Sequence, residues 1–342
     1  MRLLLLVDPN IPVPPVQYGG TERIAALLAE GLVEAGHTVD LLAGPGSQKY
    51  NGCLQIHYKP GSGRISRAYR KILFRFRSGR LARSADLVLN FGRLDYLGAI
   101  AGKKLPLISV FQNPIPPSEI EELQRRFPQR LGLVGISRQQ IAHLKSARAI
   151  RVIYNATDVE RMPFQERVPA ESYFVYLGRL TSNKGVHLAI AAAQAAGVPL
   201  KIAGPQSKEP GEENYFEREI APHLDSRIEY IGSVNDEQKS HLLGQARALL
   251  FPIQWPEPFG IVMAEALACG CPVIGWNNGS VPEVIQSQRN GFVVNSVPEM
   301  VAAIQNIDSI SRRTCRQDAE ERFSKQAMIG QYLQLVEQLR AE

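Results

Sequence analysis

The chain opens with a short apolar block, Leu3-Leu4-Leu5-Leu6-Val7, that stops at Asp8-Pro9. A continuous run of this length reads as a parallel strand buried on both faces. A loop rich in proline and glycine follows, from Pro9 to Gly20, with Thr21 as the expected N-cap of a helix. Ile24, Leu27, Leu28 and Leu32 fall on one face of that helix, and Gly36 ends it. Val39, Leu41 and Leu42 begin the next strand, which completes a strand–helix–strand unit.

The alternation continues. Strands are expected at 87–89, 105–110, 131–136 and 151–154, with helices near 65–83 and 119–126. A second series begins at 173–177 and continues with strands at 200–203, 228–231, 249–253 and 272–274. Helices at 186–196, 213–221, 236–246 and 260–269 separate these strands. Two alternating series predict an α/β chain of two doubly wound, Rossmann-like domains facing a cleft. The division is expected where Asp158, Pro163 and Pro169 interrupt the pattern. This gives a domain at 1–160, a domain at 161–323 and a final helix at 324–342. The length of 342 residues fits two domains.

Composition excludes several classes. At 44% apolar and 21% charged residues, the chain is neither disordered nor collagenous. No apolar run nears the roughly 18 residues that span a bilayer, and the opening run is too short for the core of a signal peptide. Cys53, Cys269, Cys271 and Cys315 form no disulfide framework and have no zinc-like spacing. The six histidines are dispersed and read as structural or surface residues. A cytoplasmic protein is expected. The net charge of +6 is divided unevenly: residues 1–160 carry 22 Lys+Arg against 12 Asp+Glu, and the remainder carries 17 against 21.

Ligands of such sheets bind beyond the carboxyl ends of the strands, so the loops after strands carry the candidate chemistry. In Trp255–Gly270, Pro258 and Gly260 set a tight turn into a helix. The amides of Phe259, Gly260 and Ile261 at its start form a candidate anion site. Glu257 and Glu265 flank this turn, with seven residues between them. Glu265 is the only charge in an otherwise apolar helix, where a bare carboxylate is costly. A diol such as a ribose would satisfy it, and so would an Arg or Lys from elsewhere in the chain. Gly178–Gly185 places Arg179 and Lys184 beyond another strand, where both suit phosphate oxygens or remain in solvent. Gly19-Gly20 permits either close approach to a ligand or a plain turn. The chain has no Walker A sequence and no Asp-x-Asp clamp for a metal-bound diphosphate.

Taken together, these loops resemble glycosyltransferase family 4, a retaining family of GT-B architecture. Glu257–Cys271 resembles its E-x7-E signature, and Gly178-Arg179-Leu180 with Lys184-Gly185 resembles its donor-phosphate loop. Tyr18–Glu22, Gly279–Val284 and Asn290–Val294 resemble further blocks of the family. The resemblance implies a nucleotide-sugar donor on the second domain, by default a uridine diphosphate sugar, and an acceptor on the first. It implies that Arg179 and Lys184 bind the diphosphate, that Glu257 holds sugar hydroxyls and that Glu265 holds the ribose. It places the base near the backbone of Tyr230 and Ile231, and the donor also near Gly19 and Gly20. No metal or other cofactor is expected. Where the family often has a histidine facing the sugar, this chain has Asn90, Gln112 and Asn113, which are candidate sugar or acceptor contacts. The alternative is a non-catalytic nucleotide-sugar-binding or anionic-membrane-binding protein on the same scaffold.

One feature stands apart from the donor loops. Between Arg64 and Arg83 lie eight basic residues and no acidic ones, with Ile65, Tyr69, Ile72, Leu73 and Phe76 at helical spacing. This basic amphipathic helix fits peripheral contact with the anionic inner face of a membrane and a lipid-linked or acidic acceptor. It also fits, and more readily, a connecting helix with its apolar face on the sheet and its arginines in water, since every helix of such a domain is amphipathic. Nucleic-acid binding is not expected, since no stacking platform or reader motif accompanies the charge.

Overall fold

A computed structural model describes the chain apart from residues 17–18, 58–63, 102–104, 129, 145–149, 208 and 342, and apart from the side chains of 64–67. Tyr18 of the N-terminal motif, and the side chains of Arg64, Ile65 and Arg67 in the basic stretch, therefore lie outside the described residues. The chain divides into two compact units: 1–156 together with 325–342, and 157–324.

The first unit holds a seven-stranded sheet. Its strands are β1 (Arg2–Leu6), β2 (Thr38–Ala43), β3 (Leu54–Ile56), β4 (Leu87–Asn90), β5 (Leu107–Phe111), β6 (Leu131–Gly135) and β7 (Ile150–Val152). Their order is β3-β2-β1-β4-β5-β6-β7, and every pairing is parallel. Leu3 to Leu6 in β1 are fully buried, as a strand covered on both faces requires. The helices of this part of the chain are α1 (Gly20–Glu34), α2 (Arg64–Leu81), α3 (Pro117–Arg126) and α4 (Arg138–Ile141). α1 starts at Gly20 with Gly19 before it, so Thr21 lies inside the first turn and is not its cap.

The second unit repeats the plan with β8 (Phe174–Leu177), β9 (Leu200–Ala203), β10 (Ile228–Tyr230), β11 (Leu249–Phe251), β12 (Val273–Trp276) and β13 (Gly291–Val294). The order is β10-β9-β8-β11-β12-β13, again all parallel. Its helices are α5 (Val186–Ala196), α6 (Tyr215–Glu219), α7 (Asp236–Gln245), α8 (Ile261–Ala268), α9 (Val281–Val284), α10 (Val297–Gln305) and α11 (Arg312–Arg322). α8 is buried from Met263 to Ala268. Arg312 donates to the carbonyls of Ala246 and Gly244, both at 2.8 Å, and Arg316 donates to that of Ala268 at 2.7 Å. These cations satisfy the last carbonyls of α7 and α8, where a positive charge suits the helix dipole. The final helix, α12 (Lys325–Ala341), returns to the first unit, where Lys325 pairs with Glu34 of α1 at 2.6 Å. Among the described residues no helix is long and apolar enough to cross a membrane.

In both sheets the chain walks outward in one direction and then restarts beside the first strand. The reversal lies between β1 and β4 in one sheet and between β8 and β11 in the other. Loops leaving the strands on either side of such a reversal splay apart and leave a crevice at the carboxyl ends.

Candidate functional site

In the second unit, the loop after β8 carries Arg179 and Lys184, and the loop after β11 carries Glu257. The two strands that flank the reversal therefore supply all three groups. The buried phenol of Tyr176 braces the first loop from below, lying 3.3 Å from the carbonyls of both Arg179 and Lys184. Burial pushes that phenol well above its ordinary pKa, so it remains a neutral donor. Gly185 has φ +73°, and a Cβ there would lie 2.0 Å from the Pro252 carbonyl oxygen. The Lys184 loop thus sits hard against the β11 loop, and the Gln254 amide donates to the Asn183 carbonyl at 2.8 Å.

The result is a salt bridge between the two loops, with Lys184 Nζ 2.5 Å from Glu257 Oε2. Trp255 Nε1 donates to the same carboxylate oxygen at 2.7 Å, and its ring lies 5.1 Å below the ammonium. Gly279, at φ +55°, fixes the backbone of Glu257, since a Cβ there would lie 2.3 Å from the Glu257 nitrogen. The amide of Ser280 donates to the Glu257 carbonyl at 2.9 Å, and its hydroxyl donates to the Phe259 carbonyl at 2.8 Å. The Gly279-Ser280 segment is therefore a clamp on the Glu257 turn.

Acidic side chains of the segment before α6 meet the loop after β8. Glu209 pairs with Arg179, and Glu212 accepts from the Ser182 amide at 3.0 Å and from its hydroxyl at 2.5 Å. Carboxylates thus sit on donors that match an anion's chemistry.

Glu265, 4% exposed, pairs with Lys239 of α7, itself 8% exposed, and Asp236 lies 3.1 Å from the same ammonium. The partner that the lone carboxylate required is supplied by the protein itself. The Phe259 side chain is buried edge-on against Phe323, with ring centroids 5.8 Å apart, so only its backbone could serve a ligand. Gly260 and Ile261 begin α8 half-buried. The hydroxyl of Tyr230 donates to the Gly204 carbonyl at 3.0 Å, and Ile231 beside it is 40% exposed.

In the first unit, Gly19 and Gly20 form the entry to α1. Asn90 departs from its expected role. It is 1% exposed, and its amide exchanges hydrogen bonds with the backbone of Gly92, both at 3.1 Å, which closes the β4 loop. Gln112 is locked in a reciprocal amide pair with Asn155 at 2.9 and 2.8 Å. Of the three amides only Asn113 is exposed.

Sequence reasoning missed Asp8, Trp255, Lys239, Glu209 and Glu212. Asp8 lies two residues beyond the end of β1 and accepts from Arg93 at 3.1 Å and from the Tyr96 hydroxyl at 3.3 Å. Its place after a central strand was a readable signal, whereas the partners of Arg179 and Glu265 lie 30 and 26 residues away with no local pattern to mark them. Among the described residues, no group of three or more His, Cys, Asp or Glu side chains is placed to hold a metal ion.

Comparison with known proteins bears on this geometry. A family model described as "Glycosyl transferases group 1" matches residues 158–328, and one described as "Glycosyltransferase Family 4" matches residues 18–161. A glycogen synthase of Mycobacterium tuberculosis is 33% identical over 163 residues, which is 45% of this chain and 38% of the relative. The gpi3 subunit of the phosphatidylinositol N-acetylglucosaminyltransferase of Schizosaccharomyces pombe is 36% identical over 123 residues, 34% of this chain and 26% of the relative. The chain thus spans well under half the length of these curated relatives. Among solved structures, AviGT4, a glycosyltransferase involved in avilamycin A biosynthesis, is 27% identical with a TM-score of 0.75, covering 100% of this chain and 98% of that one. A sucrose-phosphate synthase of Thermosynechococcus elongatus is 20% identical with a TM-score of 0.79 over 99% of both chains, a likeness of fold. One family model takes half of the chain and the other most of the remainder, on a scaffold of two Rossmann-like units: the chain belongs to the group 1 glycosyl transferases of glycosyltransferase family 4, with the GT-B fold.

Proposed function

We propose that this chain is a retaining glycosyltransferase that moves a sugar from a nucleotide-sugar, by default a uridine diphosphate sugar, to an acceptor without a divalent metal. The observation that carries the reading is the convergence of Arg179, Lys184 and Glu257 on the loops after β8 and β11, at the reversal point of the second sheet. Family membership supports it.

The mechanism follows from charge. Breaking the bond between the sugar C1 and the diphosphate oxygen builds negative charge on the leaving group. Arg179 and Lys184, together with the first amides of α8, stabilise that charge more in the transition state than in the ground state. To do so the two cations exchange the carboxylates of Glu209 and Glu257 for phosphate oxygens. Glu257, released from Lys184 and still oriented by Trp255, then accepts from hydroxyls of the donor sugar. The sugar C1 gains oxocarbenium character, and the acceptor oxygen bonds to it on the face the diphosphate leaves. The acceptor's proton passes to a donor phosphate oxygen, so no protein nucleophile is required. Glu265 takes the ribose diol while Lys239 holds its charge. The acceptor, lipid-linked or acidic, belongs on the basic first unit.

The test is a thermal-shift panel of nucleoside diphosphates and nucleotide-sugars. A ligand at 100 times its Kd stabilises by about 2.7 kcal/mol. At least one member of the panel is expected to raise Tm, and Arg179→Ala is expected to abolish the rise. A panel in which no member shifts the wild-type protein overturns the reading. Binding without release of a nucleoside diphosphate would favour a non-catalytic nucleotide-sugar-binding protein.

A further inference from the structure

Helix α2 presents two faces of opposite kind. Its inner face is fixed to the first unit. Phe74 is fully buried and stacks on Tyr96 with ring centroids 3.8 Å apart, Ser78 donates to the Tyr96 carbonyl at 3.1 Å, and Arg75 donates to the Asp95 carbonyl at 2.8 Å. The outer face carries Tyr69, Ile72 and Phe76, which are 61, 64 and 66% exposed. At about 100° per residue these three positions fall in one stripe along the helix. They are three of the five large hydrophobic residues exposed among the described residues, so the stripe is a patch rather than surface scatter. A helix that serves only to connect strands would bury such a stripe. Here the helix already buries the opposite one.

The surroundings of the stripe define what covers it. Exposed Arg80 continues its line, exposed Arg83 follows the end of the helix, and no acidic residue occurs from 64 to 85; the nearby Asp95 is taken up by Lys71 and Arg75. A second copy of the chain is a poor cover, because a two-fold contact would set this basic face against itself. An apolar stripe that runs into exposed cations matches the layering of a lipid interface, where acyl chains lie just beneath phosphates. Arginine suits those phosphates, and each basic residue near an anionic surface strengthens binding.

We propose that the outer face of α2 docks the protein on an anionic bilayer. Tyr69, Ile72 and Phe76 enter the boundary between headgroups and acyl chains, and Arg80 and Arg83 lie on the lipid phosphates. The inference does not depend on the glycosyltransferase reading.

Vesicle flotation of the full chain at low salt tests it, with vesicles of phosphatidylcholine alone and of phosphatidylcholine with phosphatidylglycerol. The wild-type protein is expected to favour the phosphatidylglycerol vesicles at least tenfold. Ile72→Ser with Phe76→Ser is expected to lower that partition by at least tenfold, from the apolar area withdrawn. Arg80→Glu with Arg83→Glu is expected to lower it and to flatten its dependence on salt. All four side chains are exposed, so Tm should barely move. Ile72→Trp provides a second reading, with emission shifting to the blue on phosphatidylglycerol vesicles only. Equal partition to both vesicles, wild-type partition of the Ser variants, or no shift from the Trp variant overturns the proposal. So does a dimer that Phe76→Ser dissociates in the absence of vesicle binding.

Discussion

Lys184 and Glu257 stand 73 residues apart in sequence, yet their side chains meet at 2.5 Å across the loops that leave β8 and β11. Both are less than one-fifth exposed. Each charge therefore depends on the other. Lys184→Met and Glu257→Gln are expected to destabilise the free protein singly by about 1–2 kcal/mol, since each leaves a partly buried charge without its partner. The double variant should lose less than the sum, with a coupling of about 1 kcal/mol. Urea unfolding of the four proteins measures the cycle, and strict additivity would show the pair to be energetically idle.

The buried pair of Lys239 and Glu265 separates a structural role from a ligand role. Glu265→Gln leaves the Lys239 ammonium with only the exposed carboxylate of Asp236 and is expected to cost about 2 kcal/mol. Lys239→Met with Glu265→Leu replaces the pair by apolar groups and should recover most of that loss. If Glu265 also holds the ribose, this double variant melts near the wild-type temperature but gains no Tm from a nucleoside diphosphate. A wild-type shift from the double variant would reduce Glu265 to a bracing residue.

The clamp formed by Gly279 and Ser280 acts on Glu257 through its backbone. Gly279→Val places a branched side chain at φ +55° and against the backbone of Glu257. The expected outcome is a fall in kcat of at least tenfold, because the carboxylate is displaced. Ser280→Ala, which keeps the backbone conformation and removes one hydrogen bond, should be milder. Steady-state kinetics compares the two, and equal effects would argue against the clamp.

His57 makes stability depend on pH. It is 2% exposed, lies edge-on to Phe74 at 4.9 Å, and has an Arg77 nitrogen 3.4 Å from its Nδ1. Burial first, then the positive charges of Arg77 and Arg70, lowers its pKa from 6.5 to about 4, while Asp8 opposes the shift. A lowered folded value means that the unfolded chain binds the proton first as pH falls. Stability is therefore lost between about pH 6.5 and 4 and changes no further on this account below that. Thermal melts across this window should show a flatter profile for His57→Gln. An unchanged profile would show that other groups carry the acid sensitivity.

Much of this was legible in the sequence. The run Leu3–Val7 could only be a covered parallel strand, and the pattern over 186–196 coincides with α5. The charged loops after β8 and β11 were visible because ligands of such sheets bind where parallel strands end, which directs attention to the charges there. What was not legible depended on distant pairings. Nothing local to Glu265 names Lys239, and nothing near Arg179 names Glu209. Helix α2 shows the same limit differently. Its periodicity marks Tyr69, Ile72 and Phe76 as an apolar face, but whether that face or the one bearing Phe74 meets the sheet is set by tertiary packing. Asn90 appeared as a polar residue at a strand end, and only the turn geometry showed its amide engaged by Gly92.

The most direct measurement of the central claim is release of nucleoside diphosphate from a panel of nucleotide-sugars, compared between the wild-type protein and Lys184→Ala. Water can take the place of the acceptor oxygen at the sugar C1, so the acceptor need not be known. The account predicts release from at least one donor without added metal, and a fall of roughly 10²-fold in the variant, the cost of losing one preorganised donor to a developing anion. Release from no donor, or the same rate from both proteins, would contradict it.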